Sequence, residues 1–144
     1  MKNILLPVDG SENSMRAVNY TVDMLSPLPK EHCPVLHILN VQRSLSPNFD
    51  MLVREEDRAN HYKNEGRKIL DPIESILKLK NIVYVPHIVI STEIAHSIAE
   101  FAAERGCELI VMGTRGLGKI QGIMLGSMAT KVVHESSVPV LLVK

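Results

Sequence analysis

The sequence has no tryptophan, three tyrosines and two phenylalanines, so aliphatic side chains must fill its core. Its two cysteines, Cys33 and Cys107, are too few for a disulfide framework and show no metal-ligand spacing. Sixteen basic residues balance sixteen acidic ones and form no basic tract, which argues against nucleic-acid binding. No apolar run approaches the roughly 20 residues of a membrane span, and the N-terminal one is too short for a signal peptide. These absences favour a cytoplasmic protein with reduced thiols.

Short apolar runs alternate with helical patterns along the 144 residues. Such alternation is typical of βαβ units, in which helices cover both faces of a parallel sheet. A proline in the third run, Pro86, favours an edge position for that strand. We therefore expect one domain spanning residues 1–144, with an open, doubly wound α/β fold. The predicted strands are Asn3–Val8, Val35–Val41, Ile82–Ile90, Glu108–Met112 and Val138–Val143.

Local signals predict where the helices begin and end. Ser11 is suited to cap the first helix, because its hydroxyl can accept a backbone N–H of the first turn. Thr92 is expected to cap the third helix, and Gly106 to end it. Pro72 lies within the helical pattern of residues 50–79, where it predicts a kink or a break.

The glycines that follow the fourth strand indicate a phosphate site. Gly113 and Gly116 are three residues apart, and Gly126-Ser127 follows after nine more residues. Glycine permits close approach of backbone N–H groups to an anion, and Ser127 stands where a helix N-cap is expected. A strand, a glycine loop and a helix N-terminus together favour phosphate binding. The leading ligand is therefore a nucleotide.

A second unusual strand end is Pro7-Val8-Asp9-Gly10. Ligands of open α/β sheets bind beyond the carboxyl ends of strands, where the strand order reverses. If this end and the glycine loop are neighbours, Asp9 flanks the same crevice. A carboxylate repels phosphates, so Asp9 would face the ribose or base, or reach the phosphates through a metal ion. The alternative is that Asp9 only forms a turn that leads into the helix cap.

No other metal ligand is assigned. The six histidines show no spacing with acidic residues or cysteines that indicates a metal site. His37 and His87 lie within strand patterns, and we expect each to be satisfied within the fold.

An enzymatic alternative uses the same crevice. The segment from Gly113 to Lys119 resembles a P-loop, but the next residue is Ile120, whereas magnesium binding needs serine or threonine there. A slow ATPase or phosphotransferase remains the second hypothesis. Arg115 is its one candidate arginine finger, Asp9 its one candidate metal carboxylate, and no general base or other catalytic residue can be assigned. The sequence favours binding over turnover.

These motifs resemble those of the universal stress protein family. The segments involved are Pro7–Ser11, Leu39–Val41, Ile110–Gly116 and Ser137–Val143, so the resemblance extends over the whole chain. The spacing of the four motif positions matches the branch of the family that binds ATP.

The resemblance implies a Rossmann-like fold of the adenine nucleotide alpha hydrolase-like type, with strand order 3-2-1-4-5. It also implies ATP as ligand together with Mg²⁺, nucleotide-responsive regulation during stress, and a homodimer formed through residues 138–143. Carried over by position, Pro7 and Asp9 would contact adenosine and Val41 would contact adenine. Met112 and Gly113 would line the ribose side. Gly116, Gly126 and Ser127 would bind the phosphates. The other expected nucleotide-binding residues are Val8, Arg115 and Met128.

Overall fold

A computed structural model describes residues 1–44, 54–114 and 125–144, where strands and helices alternate. The strands are β1 (Asn3–Pro7), β2 (Val35–Arg43), β3 (Tyr84–Ser91), β4 (Leu109–Gly113) and β5 (Val140–Val143). The helices are α1 (Glu12–Leu25), a 3₁₀ turn (Lys30–His32), α2 (Glu55–Leu79), α3 (Ile94–Glu104) and α4 (Ser127–Glu135). No helix in these ranges has the length and apolar character needed to cross a membrane.

The five strands form one parallel sheet in the order β3-β2-β1-β4-β5. The predicted doubly wound fold and its strand order 3-2-1-4-5 are therefore confirmed. β3 lies at one edge, as Pro86 indicated, and β5 lies at the other. β2 and β3 lie on one side of β1, and β4 and β5 lie on the other, so the strand order reverses between β1 and β4. The carboxyl ends of all five strands meet at the same edge of the sheet.

Among the described residues, two helices pack on each face of the sheet. One apolar cluster joins α1 and α2 to the sheet through residues such as Val18 and Leu70. The other joins α3 and α4 to the opposite face through residues such as Ile98 and Val132. Burial of each large aliphatic side chain contributes roughly 1.5–3 kcal/mol, so aliphatic residues suffice for a core with few aromatics.

Of the two outcomes predicted at Pro72, a kink or a break, the break does not occur, because α2 runs without interruption from Glu55 to Leu79. Proline removes one backbone hydrogen bond and crowds the preceding turn. Pro72 lies on the exposed side of the helix, while Leu70 and Ile73 beside it are fully buried against the sheet. Packing on both sides of the proline outweighs the local cost.

Of the helix ends predicted at Ser11, Thr92 and Gly106, those at Ser11 and Gly106 are confirmed. Ser11 caps α1, since its Oγ accepts the N–H of Ser14 at 3.2 Å. Gly106 follows α3 with φ +59°, a left-handed conformation that favours glycine. The prediction for Thr92 is wrong, because Glu93 occupies the N-cap position of α3. Ser91 forms a turn just before the helix, in which its Oγ accepts the Glu93 N–H at 3.0 Å.

Candidate functional site

A crevice of about 410 Å³ opens beyond the carboxyl ends of β1, β2 and β4. The N-terminal turns of α1, α3 and α4 form its other walls. Nine of the eleven predicted nucleotide-binding residues line it, while Arg115 and Gly116 lie outside the described residues. The nine that the structure brings together are Pro7, Val8, Asp9, Val41, Met112, Gly113, Gly126, Ser127 and Met128.

One part of the crevice is apolar. Leu39 and Val41 of β2 form it together with Ile94 and Ile98 of α3. Leu39, Ile94 and Ile98 were not among the predicted site residues. The two-residue spacing of Leu39 and Val41 could have identified the first, because alternate residues of a strand share one face. A flat aromatic base is the kind of group that such a surface accommodates.

Asp9 is held in a fixed position beside α1. Its Oδ1 accepts the N–H of Ser11 at 2.9 Å, so it forms the turn into the helix as well as lining the crevice. Burial alone would raise the pKa of Asp9, but hydrogen bonds from Ser11 and Ser14 lower it overall. The carboxyl group is therefore ionised at neutral pH.

The N-terminus of α4 differs from the sequence prediction. Gly126, and not Ser127, is the N-cap, since its carbonyl oxygen accepts the N–H of Thr130 at 2.9 Å. Ser127 is the first residue of the helix, and no described side chain caps α4. The first N–H groups of a helix have no partner within it and carry the positive end of its dipole. Because Gly126, Ser127 and Met128 line the crevice, this terminus offers an anion-binding end.

The glycines of the motif have a different local explanation from the one expected. Gly126 has φ −61°, a conformation that any residue adopts. At Gly113 the requirement is close packing, because a Cβ there would lie 2.1 Å from the carbonyl oxygen of Asn13 in α1. The missing side chain of Gly113 lets α1 approach β4 directly.

Two charged side chains are found among the described residues that line the crevice, Asp9 and Arg43. Arg43, which the sequence reasoning missed, ends β2, and its Nη1 lies 3.5 Å from the carbonyl oxygen of Thr92. Asp9 is the one carboxylate of this set, and no group of three potential metal ligands occurs in the described ranges. Magnesium is usually bound through one or two carboxylates together with substrate phosphates, and among the described lining residues Asp9 alone supplies such a carboxylate.

His37 and His87 form a pair on the same sheet face. The Nδ1 of His37 lies 3.0 Å from the Nε2 of His87, and the rings stack with centroids 5.2 Å apart. The expectation that both are satisfied within the fold is confirmed. Burial and the charge of Arg105 lower the pKa of His37, and burial, His37 and Arg105 lower that of His87. Phe101 of α3 packs on both rings, so α3 partly covers this half-buried pair.

The strand order makes the chain a doubly wound α/β protein, and its crevice lies at the switch point, where ligands of such sheets bind. The model of the universal stress protein family matches residues 1–144, and the chain belongs to this family. It is similar to the universal stress protein YxiE of Bacillus subtilis, with 35% identity over 149 residues. That match covers 98% of this chain and 97% of YxiE.

Solved structures show the same fold. The structure of MJ0577, a universal stress protein of Methanocaldococcus jannaschii, matches with a TM-score of 0.78 and 24% identity, covering 99% of this chain and 95% of that one. A universal stress protein from Arabidopsis thaliana with AMP bound matches with a TM-score of 0.72 and 17% identity, covering 100% and 92%. One from Archaeoglobus fulgidus in complex with dAMP matches with a TM-score of 0.65 and 20% identity, covering 100% and 98%.

Proposed function

We propose that this chain binds an adenine nucleotide in the crevice, with ATP as the ligand. The observation that carries the proposal is the N-terminus of α4, which lines the crevice and has no cap from a described side chain. Backbone N–H groups at such a terminus favour phosphate over neutral ligands. The AMP-bound and dAMP-bound structures of the same fold support an adenine nucleotide as the class of ligand.

The lining of the crevice supports one orientation of the proposed nucleotide. The phosphates lie at Gly126, Ser127 and Met128, and the base lies against Val41 in the apolar part. Two strand spacings separate β2 from β4, about 10 Å, which matches the extent of a nucleoside. The ribose then lies near Asp9, between the two ends. Mg²⁺ would be carried by the phosphates, since the described residues provide only one carboxylate near them.

The binding would serve regulation. A nucleotide shifts a conformation only if it binds one state better than another, and α4 joins the ligand end of the crevice to β5. We propose a homodimer through residues 138–143, because β5 is an edge strand whose residues Val140–Leu142 remain partly exposed. Nucleotide occupancy would then influence the choice of partner during stress.

The decisive experiment removes one backbone N–H at the proposed phosphate end. Ser127→Pro deletes that N–H, and proline is well tolerated at the first position of a helix. The preceding residue, Gly126, has φ −61° and ψ 149°, which is compatible with a following proline. Ser127→Ala is the matched control, because it removes the hydroxyl and keeps the N–H.

Nucleotide-free wild type and both variants are titrated calorimetrically with ATP, AMP and adenosine in the presence of Mg²⁺. We expect Ser127→Pro to bind ATP and AMP about tenfold more weakly, with adenosine unchanged and Ser127→Ala close to wild type. No nucleotide binding by correctly folded wild type would overturn the proposal. Steady release of ADP during the titration would instead support the slow ATPase.

A further inference from the structure

A buried amide connects β2 to the segment of chain that enters the crevice. Asn40 of β2 is only 2% exposed, and its Nδ2 donates to the carbonyl oxygen of Val8 at 2.8 Å. The side-chain amide of Gln42 donates to Asn40 Oδ1, which fixes the orientation of the Asn40 amide. Since Leu39 and Val41 line the crevice, Asn40 points to the opposite face of the sheet. The Asn40 side chain therefore does not line the crevice, and its hydrogen bond to Val8 connects it to the crevice wall.

The hydrogen bond falls where the regular pairing of β1 and β2 ends. Pro7 and Leu39 form the last pair of the β1–β2 ladder. The N–H of Val8 still donates to the carbonyl oxygen of Leu39 at 2.8 Å, so both polar backbone groups of Val8 are held by β2. Without Asn40 the Val8 carbonyl would lose this donor, and a buried polar group left unpaired is costly.

The next residue along the chain is Asp9, which lines the crevice and forms the turn into α1 with Ser11. The Val8 carbonyl belongs to the peptide group that joins Val8 to Asp9, at the start of the turn into α1. A hydrogen bond that restrains this carbonyl therefore also restrains the positions of the Val8 side chain and the Asp9 carboxylate in the crevice wall. Misplacement of such a wall weakens the binding of a ligand that depends on several contacts at once.

We propose that Asn40 is a positioning residue of the crevice, which holds the Val8–Asp9 segment in its binding geometry through the Val8 carbonyl. The inference rests on the proposed function for its effect on nucleotide affinity. Its effect on the Asp9 turn does not depend on a ligand, so the two can be measured separately.

The test compares Asn40→Leu with Ile38→Ala. Leucine has nearly the shape of asparagine but no donor. Ile38 is fully buried in the same strand and on the same face, yet does not line the crevice, so its truncation measures the effect of lost stability alone. A milder variant, Gln42→Leu, keeps the Asn40 donor and frees its amide to rotate. For each folded protein we measure unfolding by denaturant, ATP affinity, and the pKa of the Asp9 carboxyl group by NMR without ligand.

We expect the two core variants to lose stability, but only Asn40→Leu to weaken ATP binding by about tenfold and to raise the pKa of Asp9. Gln42→Leu should produce a smaller change in the same direction. Equal effects of Asn40→Leu and Ile38→Ala, or an Asp9 pKa and ATP affinity unchanged in Asn40→Leu, would overturn the inference. A wild type that does not bind ATP, with an Asp9 pKa that responds only to Asn40 and Gln42, would reject the proposed function and support the positioning role.

Discussion

Replacing Gly113 with alanine should destabilise the protein severely for its size. The added Cβ would lie 2.1 Å from the carbonyl oxygen and 2.5 Å from the carbonyl carbon of Asn13, both backbone atoms of α1. Because no side-chain rotation relieves this overlap, α1 must move away from β4. Overpacking of this kind costs about 3 kcal/mol, which corresponds to a fall in Tm of about 10 °C for a chain of this length. Thermal and denaturant unfolding followed by circular dichroism would measure it.

Two other glycines provide matched controls for the same substitution. At Gly66 a Cβ would lie 2.7 Å from the Cδ1 of Ile88, a side chain that can shift, and alanine also favours the helix by about 1 kcal/mol. At Gly106 nothing lies within 4 Å, so only the positive φ opposes alanine, by about 1–2 kcal/mol. Gly113→Ala should be the most destabilising of the three. A Gly113→Ala protein with wild-type stability and reduced ATP affinity would refute the packing explanation and favour a ligand role for this glycine.

Three further predictions concern stability and assembly. Because the pKa values of His37 and His87 are lower in the folded than in the unfolded state, the unfolded state takes up more protons in mild acid. The free energy of unfolding should be greatest above about pH 6.5, the ordinary histidine pKa, and should fall as the pH decreases below it. In His87→Gln the denaturation midpoint should depend less on pH between about pH 8 and 5. Ser11→Ala should lower the free energy of unfolding by about 1 kcal/mol by urea denaturation, since it removes the α1 cap. If the proposed dimer forms through edge strand β5, Leu141→Lys should yield a monomer by sedimentation equilibrium. A wild type that is monomeric at micromolar concentration would contradict the proposed dimer.

The sheet and its helices were predictable because they depend on local patterns. Alternation of apolar runs with helical spacing indicates βαβ units, and the resemblance supplied the strand order. The cap at Ser11 was predictable for the same reason, since a hydroxyl at that position needs only the three residues that follow. Pro72 shows where this reasoning fails, because local propensity predicted a break and packing of Leu70 and Ile73 prevented one.

The features that were missed depend on contacts between distant segments. Gly113 was predicted to line the crevice, but its close packing on Asn13, a hundred positions earlier in the chain, leaves no trace in the local sequence pattern. Asn40 belongs to a strand pattern that shows no sign of its bond to Val8. Arg43 follows the predicted end of the second strand, and only the added length of β2 brings it to the crevice. The contacts of such residues can be inferred only once the order of the strands is known.

Among the helix N-termini that line the crevice, those of α1 and α4 present different charges. At α1 the Ser11 cap, the ionised Asp9 carboxylate and Glu12 in the first turn offset the positive end of the helix dipole. At α4 no acidic residue occurs in the first turn, and no described side chain caps the helix. If the proposed site is correct, we expect a ligand with one anionic end to bind with its charge at α4. Since adenosine lacks that charge, its affinity should be lower than that of AMP.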